Sequence, residues 1–438
     1  MPTRILAAIF SGLLSAATVL SVSSDCLAEN MPITGPDVPG MKQVDAALTS
    51  FMSKWQVPGG QVAIVKDGRL VYTRGFGYAD QEAKLPAKPD TLFRIASVSK
   101  PITGVAIMKL VEEGQLHLDN RVFKAILTKE NGFKPLPDAV VDPRLHQITV
   151  RMLLEHSGGW SRGPYSIYDQ QVMYLREAAD AFGEPRPAGP QTIIRYIMGK
   201  PLDFDPGTKF DYSNLGYNVL GRVIEAVSKM RYEDYVKAKV LAPAGITRMK
   251  LGKTRMKDRQ PDEARYYFYP EEQLLWSVYN EEAAQVTAAY GGDVSVEAMD
   301  AHGGWLATAS DLAKFVTAVD TKTQVKAPRR HILKPETVDL MMARPDRPDV
   351  KDAPAFSAKG WVVWPATGKW EHTGAIIGTS AIIQRFGDQG VTVAMVFNFL
   401  PTRDFLGYFK EMTDSLIPQL VQGAAQWPEH DLFDTVAR

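Results

Sequence analysis

Strand-like runs occur at both ends of this chain, and the long stretch between them has mostly helical patterning. Residues 61–65 and 70–76 are β-branched and apolar runs joined by an Asp-Gly turn signal, which is typical of a β-hairpin. Residues 361–364, 375–386 and 391–397 are similar runs near the C-terminus. The pattern predicts one antiparallel sheet built from both ends of the chain and flanked by helices.

The chain is long enough to form two lobes. Its 438 residues exceed the size at which a single hydrophobic core usually divides. We predict a sheet lobe from residues 29–115 and 300–438, and a mainly helical lobe from residues 116–299. A cleft between two such lobes is the expected place for a small-molecule site.

The first 28 residues have the pattern of an export signal. Arg4 precedes an apolar stretch with small residues, and Cys26-Leu27-Ala28 offers a small-x-small cleavage site. A retained membrane anchor and lipoprotein processing at Cys26 are the alternatives. We predict a periplasmic or secreted protein with no stable membrane insertion after signal cleavage. Because Cys26 is the single cysteine, the mature chain has no thiol for a disulfide or a thiolate metal site.

The charge balance argues against a nucleic-acid partner. Lys and Arg together number 50, as do Asp and Glu, and no basic run stands out. The seven histidines lack the spacing that is typical of metal ligands. We therefore predict no metal, no cofactor and no nucleic acid, with a small molecule or a short peptide as substrate. The sequence leaves the oligomeric state open.

A serine and a lysine stand three residues apart at the start of an apolar helix predicted over residues 97–113. In Ser97-Val98-Ser99-Lys100 the two side chains share a helix face, so the amine can reach the hydroxyl. A serine hydroxyl is a weak nucleophile until a base takes its proton, and a neutral lysine can do so. Ser97 and Lys100 are therefore the candidate nucleophile and base.

Tyr212-Ser213-Asn214 offers a second base. A tyrosine held near a lysine cation is drawn toward phenolate, so Tyr212 can take the proton of Ser97 and return it to a leaving group. Asn214 has donors and an acceptor that can orient Lys100 and a substrate amide. The residues do not decide whether Lys100 or Tyr212 is the principal base.

His372-Thr373-Gly374-Ala375 is the third motif, on a predicted strand. Gly374 lets a substrate backbone approach closely. The backbone N–H groups of Ser97 and Ala375 can converge as an oxyanion hole. His372 and Thr373 are the candidate substrate-binding side chains of this motif.

The three motifs together resemble those of the class C β-lactamase-like, or penicillin-recognising, serine hydrolases. The match consists of Ser97-x-x-Lys100, Tyr212-x-Asn214 and His372-Thr373-Gly374. The resemblance extends from about residue 57 to the end of a helix predicted over residues 405–421. It implies a β-lactamase/transpeptidase-like α/β (α+β) fold with a sheet lobe and an α lobe, and an acyl-enzyme on Ser97.

His372 departs from one branch of this family. The resemblance covers class C β-lactamases, D-alanyl-D-alanine carboxypeptidases, D-amino-acid amidases and aminopeptidases, and family VIII carboxylesterases. Class C β-lactamases carry lysine at this position, whereas a histidine with a pKa near 6.5 is mostly neutral at pH 7. We expect a serine hydrolase for small esters or D-amino-acid-type amides. We also expect carboxylate-bearing substrates to bind better as the pH falls through 6.5.

Other functions stay open at this point. One alternative is a β-lactamase or a D-alanyl-D-alanine carboxypeptidase, and another is a non-catalytic protein that binds cell-wall peptides. Residues 159–163 match the G-x-S-x-G nucleophile elbow, which needs a strand before the serine and a helix after it. Because a helix-like segment precedes Ser161, we interpret it as a loop residue. His156 and His302 are assigned to packing and hydrogen bonding.

Overall fold

The computed structural model describes residues 31–161, 174–269, 274–280, 284–292, 294–322, 331–422 and 426–433. The predicted signal peptide (residues 1–28), with Cys26, lies outside these residues.

The strands and helices alternate irregularly along the chain. The strands are β1 (Ile33–Thr34), β2 (Gly59–Lys66), β3 (Arg69–Asp80), β4 (Leu85–Pro86), β5 (Phe93–Arg94), β6 (Lys250–Leu251), β7 (Tyr267–Tyr269), β8 (Leu274–Trp276), β9 (Gln285–Thr287), β10 (Trp305–Ala307), β11 (Phe356–Ser357), β12 (Val362–Trp364), β13 (Lys369–Ile376), β14 (Thr379–Phe386), β15 (Val391–Phe397) and β16 (Phe399–Pro401). The α-helices are α1 (Lys42–Trp55), α2 (Ser99–Glu112), α3 (Val150–Leu154), α4 (Leu175–Phe182), α5 (Pro190–Ile197), α6 (Asn214–Ser228), α7 (Tyr232–Val236), α8 (Asp300–Gly303), α9 (Ala309–Val319), α10 (Pro335–Met342), α11 (Phe405–Glu411) and α12 (Ile417–Gln422).

A nine-stranded antiparallel sheet is the centre of the fold, and it draws its strands from both ends of the chain. The order across the sheet is β1-β3-β2-β15-β14-β13-β12-β11, with β4 paired to β3. β2 from the N-terminal part pairs antiparallel with β15 from the C-terminal part. The predicted α/β fold with one antiparallel sheet from both ends is therefore confirmed.

The sheet has helices on both faces. Successive side chains of a strand point to opposite faces, and along β2 Val62 and Ile64 join one core while Ala63 and Val65 join the other. The first core holds α1 and the C-terminal helices. The second holds α2 and α9 and continues into the helices between residues 116 and 300. Each face is thus buried by helices, which is what the apolar character of these strands requires.

The predicted hairpin and most predicted helices occur where the sequence places them. β2 and β3 are joined at Asp67 and Gly68, which both have positive φ (48° and 77°), as the tight turn of a hairpin demands. The residue pattern also favours helices over 191–198, 216–227, 311–319 and 335–342, and the structure has α5, α6, α9 and α10 there. The helix predicted over 405–421 is α11 and α12, joined by a wider turn at Met412–Leu416.

The single strand predicted over residues 375–386 is wrong. The structure divides this stretch between β13 and β14, which pair antiparallel around a turn at Gly378. Gly378 has φ +80°, a conformation that glycine adopts without steric cost. The apolar run continues through the turn, so hydrophobicity alone did not reveal the break. The correction places His372, Gly374 and Ala375 on β13.

The middle of the chain contains short strands as well as helices. β5 pairs with β10, and β10 with β6, in a small antiparallel sheet that leads directly to the turn before α2. Within β5, Arg94 is buried and donates to the carbonyls of Ala289, Lys253 and Thr254. These bonds anchor the strand that precedes Ser97. Among the described helices, none combines the length and the apolar character needed to cross a membrane.

A buried ion pair connects α9 to the sheet and generates a stability prediction. Asp320 follows α9 and accepts two bonds from the Arg385 guanidinium on β14, at 2.8 and 3.0 Å. Removing one partner leaves a buried charge uncompensated. We expect Asp320→Ala to lower the free energy of unfolding by about 3–5 kcal/mol, measured by denaturant titration. Asp339→Ala, which breaks the exposed pair with Lys322, is the control and should stay close to wild type; equal losses would contradict the prediction.

Candidate active site

Ser97 lies in a strained turn at the entrance to α2. It is the middle residue of a 3-10 turn, Ala96–Val98, between β5 and α2. Ala96 has φ +46°, in the left-handed region that L-residues other than Asn and Asp seldom adopt. Ala96 and Val98 are buried, whereas Ser97 is partly exposed. Backbone strain of this kind is common where a reactive side chain must be presented outward.

Lys100 is fully buried and bonded to three separate segments of the chain. Its Nζ lies 3.0 Å from Ser97 Oγ, 2.6 Å from Asn214 Oδ1 and 3.0 Å from the backbone carbonyl of His302. The predicted contact between serine and lysine is therefore present. The carbonyl of His302 is a contact that the sequence did not indicate, because a backbone acceptor has no residue-type signature.

These three contacts limit the proton arrangement at Lys100. The amide oxygen of Asn214 and the carbonyl of His302 can only accept, so Nζ must donate two hydrogens to them. A charged Lys100 also donates its third hydrogen to Ser97 Oγ. A neutral Lys100 can instead direct its lone pair at Ser97 Oγ, 3.0 Å away, and accept the hydroxyl proton. The geometry is thus compatible with both proton states of the lysine.

Tyr212 and Asn214 come from the start of α6. Ser213 caps this helix, because its Oγ accepts from the amide of Gly216 at 3.0 Å. Asn214 is the first helical residue, and its side chain turns to Lys100. The Lys100 Nζ lies 4.8 Å from the centroid of the Tyr212 ring. The second predicted motif therefore meets the first one at the lysine.

β13 brings the third motif against the nucleophile turn. β12 pairs only with the first three residues of β13, and the residues after them pass the turn that carries Ser97. A Cβ on Gly374 would stand 2.2 Å from the Ile95 carbonyl oxygen and 3.2 Å from the Ser97 nitrogen. Only glycine fits such an approach. Ala375 is the next residue on the strand, partly exposed, and Thr373 is exposed.

His372 is buried beside the other candidate residues and stays uncharged. Its ring centroid is 6.5 Å from that of Tyr212. Its Nδ1 lies 2.7 Å from the Thr373 carbonyl and donates to it, so the neutral ring offers Nε2 as an acceptor. Burial, and then the positive charge of Lys100, lower the pKa of His372 to about 3. The premise of the expected pH dependence, an imidazole that titrates near pH 6.5, therefore does not hold for His372.

Two other histidines belong to the surroundings of Lys100 and Tyr212. The His156 ring stacks on Tyr212 with 4.4 Å between centroids and 23° between planes. His302 is fully buried, and burial followed by the charge of Lys100 lowers its pKa well below the ordinary range. Their assignment to packing and hydrogen bonding missed their place next to the candidate base.

Several sequence features lie away from this site. Ser161 follows α3 and a run of turns rather than a strand, and its amide donates to Asp203. Residues 162–164 lie outside the described residues. Four tryptophans are buried in the core: Trp160, Trp305, Trp361 and Trp370. In the described ranges, no group of three His, Cys, Asp or Glu side chains is arranged to hold a metal ion.

Known proteins are similar to this chain in sequence or in fold. Protein flp of Staphylococcus aureus (strain COL) is 29% identical over 218 residues, which are 50% of this chain and 40% of flp. The chain thus spans about two fifths of the length of the curated relatives of this kind that it matches.

Two solved structures of hydrolases have the same fold. The D-amino acid amidase from Ochrobactrum anthropi SV3, complexed with L-phenylalanine amide, superposes with a TM-score of 0.65 at 20% identity, over 88% of this chain and 98% of the amidase. EstCE1, a hydrolase with promiscuous acyltransferase activity, superposes with a TM-score of 0.63 at 21% identity, over 88% of this chain and 98% of EstCE1. A family model described as Beta-lactamase matches residues 44–411. The chain therefore belongs to the Beta-lactamase family of serine hydrolases.

Proposed function

We propose that this protein hydrolyses small esters or D-amino-acid-type amides through an acyl-enzyme on Ser97. The observation that carries the proposal is the contact of one buried amine, Lys100 Nζ, with both Ser97 Oγ and Asn214 Oδ1 beside the Tyr212 ring. A nucleophile within hydrogen-bond reach of its base, which is oriented by a third group, is the arrangement that covalent catalysis requires.

Each candidate residue has a role in this reaction. Ser97 Oγ attacks the substrate carbonyl and gives its proton to the Lys100–Tyr212 pair. The bond to the alkoxide or amine then breaks, and the pair returns the proton to that leaving group. Water attacks the acyl-enzyme in the same way, which releases the acid and restores the Ser97 hydroxyl. The N–H groups of Ser97 and Ala375 stabilise the oxyanion in both steps.

His372 supports the choice of substrate class. A neutral imidazole that offers an acceptor gives no positive charge to a substrate carboxylate, and its low pKa keeps it neutral across the ordinary pH range. An acceptor is suited to a donor on the substrate, such as an amide N–H or an ammonium group. The names of the amidase and of EstCE1 fit this class of reaction.

Two other functions fit the site less well. β-Lactamase or D-alanyl-D-alanine carboxypeptidase activity would also proceed through Ser97, but His372 offers no charge for the carboxylate of a β-lactam. A non-catalytic cell-wall-peptide receptor would not need the contact between Ser97 and Lys100. We retain the proposal that the protein is exported after cleavage near residue 28, since the N-terminal pattern is its basis.

Labelling identifies the nucleophile. We expect a fluorophosphonate probe to add once, at Ser97, as detected by intact-mass spectrometry and peptide mapping. Ser97→Ala should abolish both labelling and hydrolysis of p-nitrophenyl acetate, because no acyl-enzyme can form. Ser161→Ala is the matched control and should retain most of the activity. An adduct on Ser161, or turnover by Ser97→Ala, would refute the assignment.

Gly374→Ala tests the approach of β13 to the nucleophile turn. The added Cβ collides with the Ile95 carbonyl and moves the strand away from the Ser97 amide. Since a single oxyanion donor is worth about 10²–10³ in rate, we expect kcat to fall by at least about 10²-fold. Gly189→Ala is the control, because a Cβ there meets nothing within 4 Å and its φ is −75°. Unchanged kcat in Gly374→Ala would exclude this oxyanion hole.

His372→Lys tests the substrate class. A charge-assisted bond is worth about 1.5–3 kcal/mol, so kcat/KM for nitrocefin should rise about tenfold to a hundredfold relative to that for a neutral p-nitrophenyl ester. In the wild type this ratio should stay flat between pH 8 and pH 5, because the pKa of His372 is about 3. An increase centred near pH 6.5, or an unchanged ratio in the variant, would show that His372 does not set the preference.

A further inference from the structure

We propose that His156 is a positioning residue that holds the phenol of Tyr212 toward Lys100 and Ser97. This inference rests on the function proposed above, in which Tyr212 shares the work of the base. In this inference a buried histidine orients a neighbouring side chain as well as packing in the core. Three kinds of contact support it: ring stacking, hydrogen bonds on both sides of Tyr212, and a buried ion network behind the histidine.

The imidazole is a platform for the Tyr212 ring. His156 is 2% exposed, and its ring lies nearly parallel to that of Tyr212 at 4.4 Å between centroids. Tyr217 and Phe210 contact the same imidazole, at 5.0 and 5.8 Å between centroids. Stacked aromatic pairs have a preferred geometry, so a platform that cannot move restricts the rotation of the ring it carries.

Hydrogen bonds to His156 fix the backbone on both sides of Tyr212. The amide of Asp211 donates to the His156 carbonyl at 2.8 Å. The amide of Ser213 donates to His156 Nδ1 at 3.0 Å. A backbone amide can only donate, so Nδ1 has its lone pair there and the neutral ring has its hydrogen on Nε2. One residue thus holds the Cα of Tyr212 from both neighbours and supports its ring.

A buried ion network holds His156 itself in place. His156 has φ +54°, an uncommon conformation for a non-glycine residue, and its neighbour Glu155 is buried. Glu155 pairs with Lys359 at 2.8 Å and with Arg347 at 3.8 Å. Removing either cation would leave a buried carboxylate poorly compensated, so the segment is strongly held at this point.

The same network reaches both catalytic segments. Arg347 pairs with Asp349 at 3.0 Å, and Asp349 accepts from the amide of Phe210, two residues before Tyr212, at 2.7 Å. The Lys359 carbonyl lies against Gly104 on α2, 2.8 Å from where a Cβ would stand. The segment with Tyr212 and the helix with Lys100 are therefore fixed to one framework. Such support is what keeps a catalytic group within the narrow range of productive geometry.

The variant His156→Asn distinguishes the contribution of the imidazole ring from that of the hydrogen bonds and the backbone conformation of this residue. The Asn side chain can place Oδ1 where Nδ1 stands and accept from the Ser213 amide, and Asn tolerates a positive φ better than most residues. What it lacks is the ring under Tyr212. Because a displacement of about 1 Å in a catalytic group can cost about 10²-fold, we expect kcat for p-nitrophenyl acetate to fall by about 10- to 100-fold. KM should change by less than about threefold, since the substrate does not contact His156 in this proposal.

A double-mutant cycle with Tyr212→Phe tests whether the effect passes through the phenol. Loss of a general base costs typically 10²–10⁴-fold, so Tyr212→Phe alone should reduce kcat in this range. Adding His156→Asn to Tyr212→Phe should then reduce kcat by less than about twofold, because there is no hydroxyl left to position. His117→Asn, at an exposed histidine, is the matched control and should leave kcat unchanged.

His156→Phe guards against a loss of activity caused by poor folding. Phenylalanine keeps a ring under Tyr212 but leaves the buried Ser213 amide without its acceptor. This variant should therefore melt at a lower temperature than His156→Asn and yet have the higher kcat. If His156 had only a structural role, the variant with the lower melting temperature would also have the lower kcat.

The outcomes distinguish this inference from the proposed function. Suppose that Tyr212→Phe reduces kcat, but that His156→Asn reduces kcat equally in the wild type and in Tyr212→Phe, or in neither. His156 then does not position the phenol, and the inference is overturned while Tyr212 keeps its assignment as a base. If Tyr212→Phe keeps full kcat, the base assignment fails and the inference fails with it. A loss in His156→Asn that disappears in the Tyr212→Phe background supports both.

Discussion

The candidate site is held together by the hydrogen bonds of one buried amine, the Nζ of Lys100. Lys100 has no contact with solvent, and an unpaired polar group in such a place is costly. Its three hydrogen-bond partners come from the turn before α2, from the first residue of α6 and from α8, and these three segments are far apart in the sequence. The chain must therefore bring α2, α6 and α8 together to bury Lys100 at all. Folding and assembly of the candidate site are then the same event.

The sheet positions the strand that lies against the Ser97 turn. Its strands from both ends of the chain are covered by helices on both faces, so β13 is a rigid element with a defined register to β14. Gly374 brings this rigid strand to the Ser97 turn at a distance that excludes any side chain. The candidate nucleophile Ser97 thus lies between the helix that carries Lys100 and the strand that carries Gly374 and Ala375.

The sequence was sufficient for the architecture and for the candidate residues with characteristic types and spacing. Ser97 and Lys100 are recognisable because their separation follows from helix geometry, and the hairpin at Asp67 and Gly68 because its turn has a local residue preference. The break at Gly378 was not recognised, since the apolar run continues through it. The surroundings of His156 and the backbone acceptor at His302 depend on φ angles and on segments distant in sequence. The burial of His372, which lowers its pKa, also depends on segments that are distant in sequence.

The low pKa values of the two buried imidazoles near Lys100 have a consequence for the electric field that a ligand meets. His372 and His302 are both held neutral by burial and by the adjacent lysine charge. Neither imidazole changes its charge as the pH moves through the range where histidines ordinarily titrate. A pH dependence of turnover in that range must therefore come from a group other than these two imidazoles. For a ligand beside Lys100, these two rings are therefore permanent dipoles and not titrating charges.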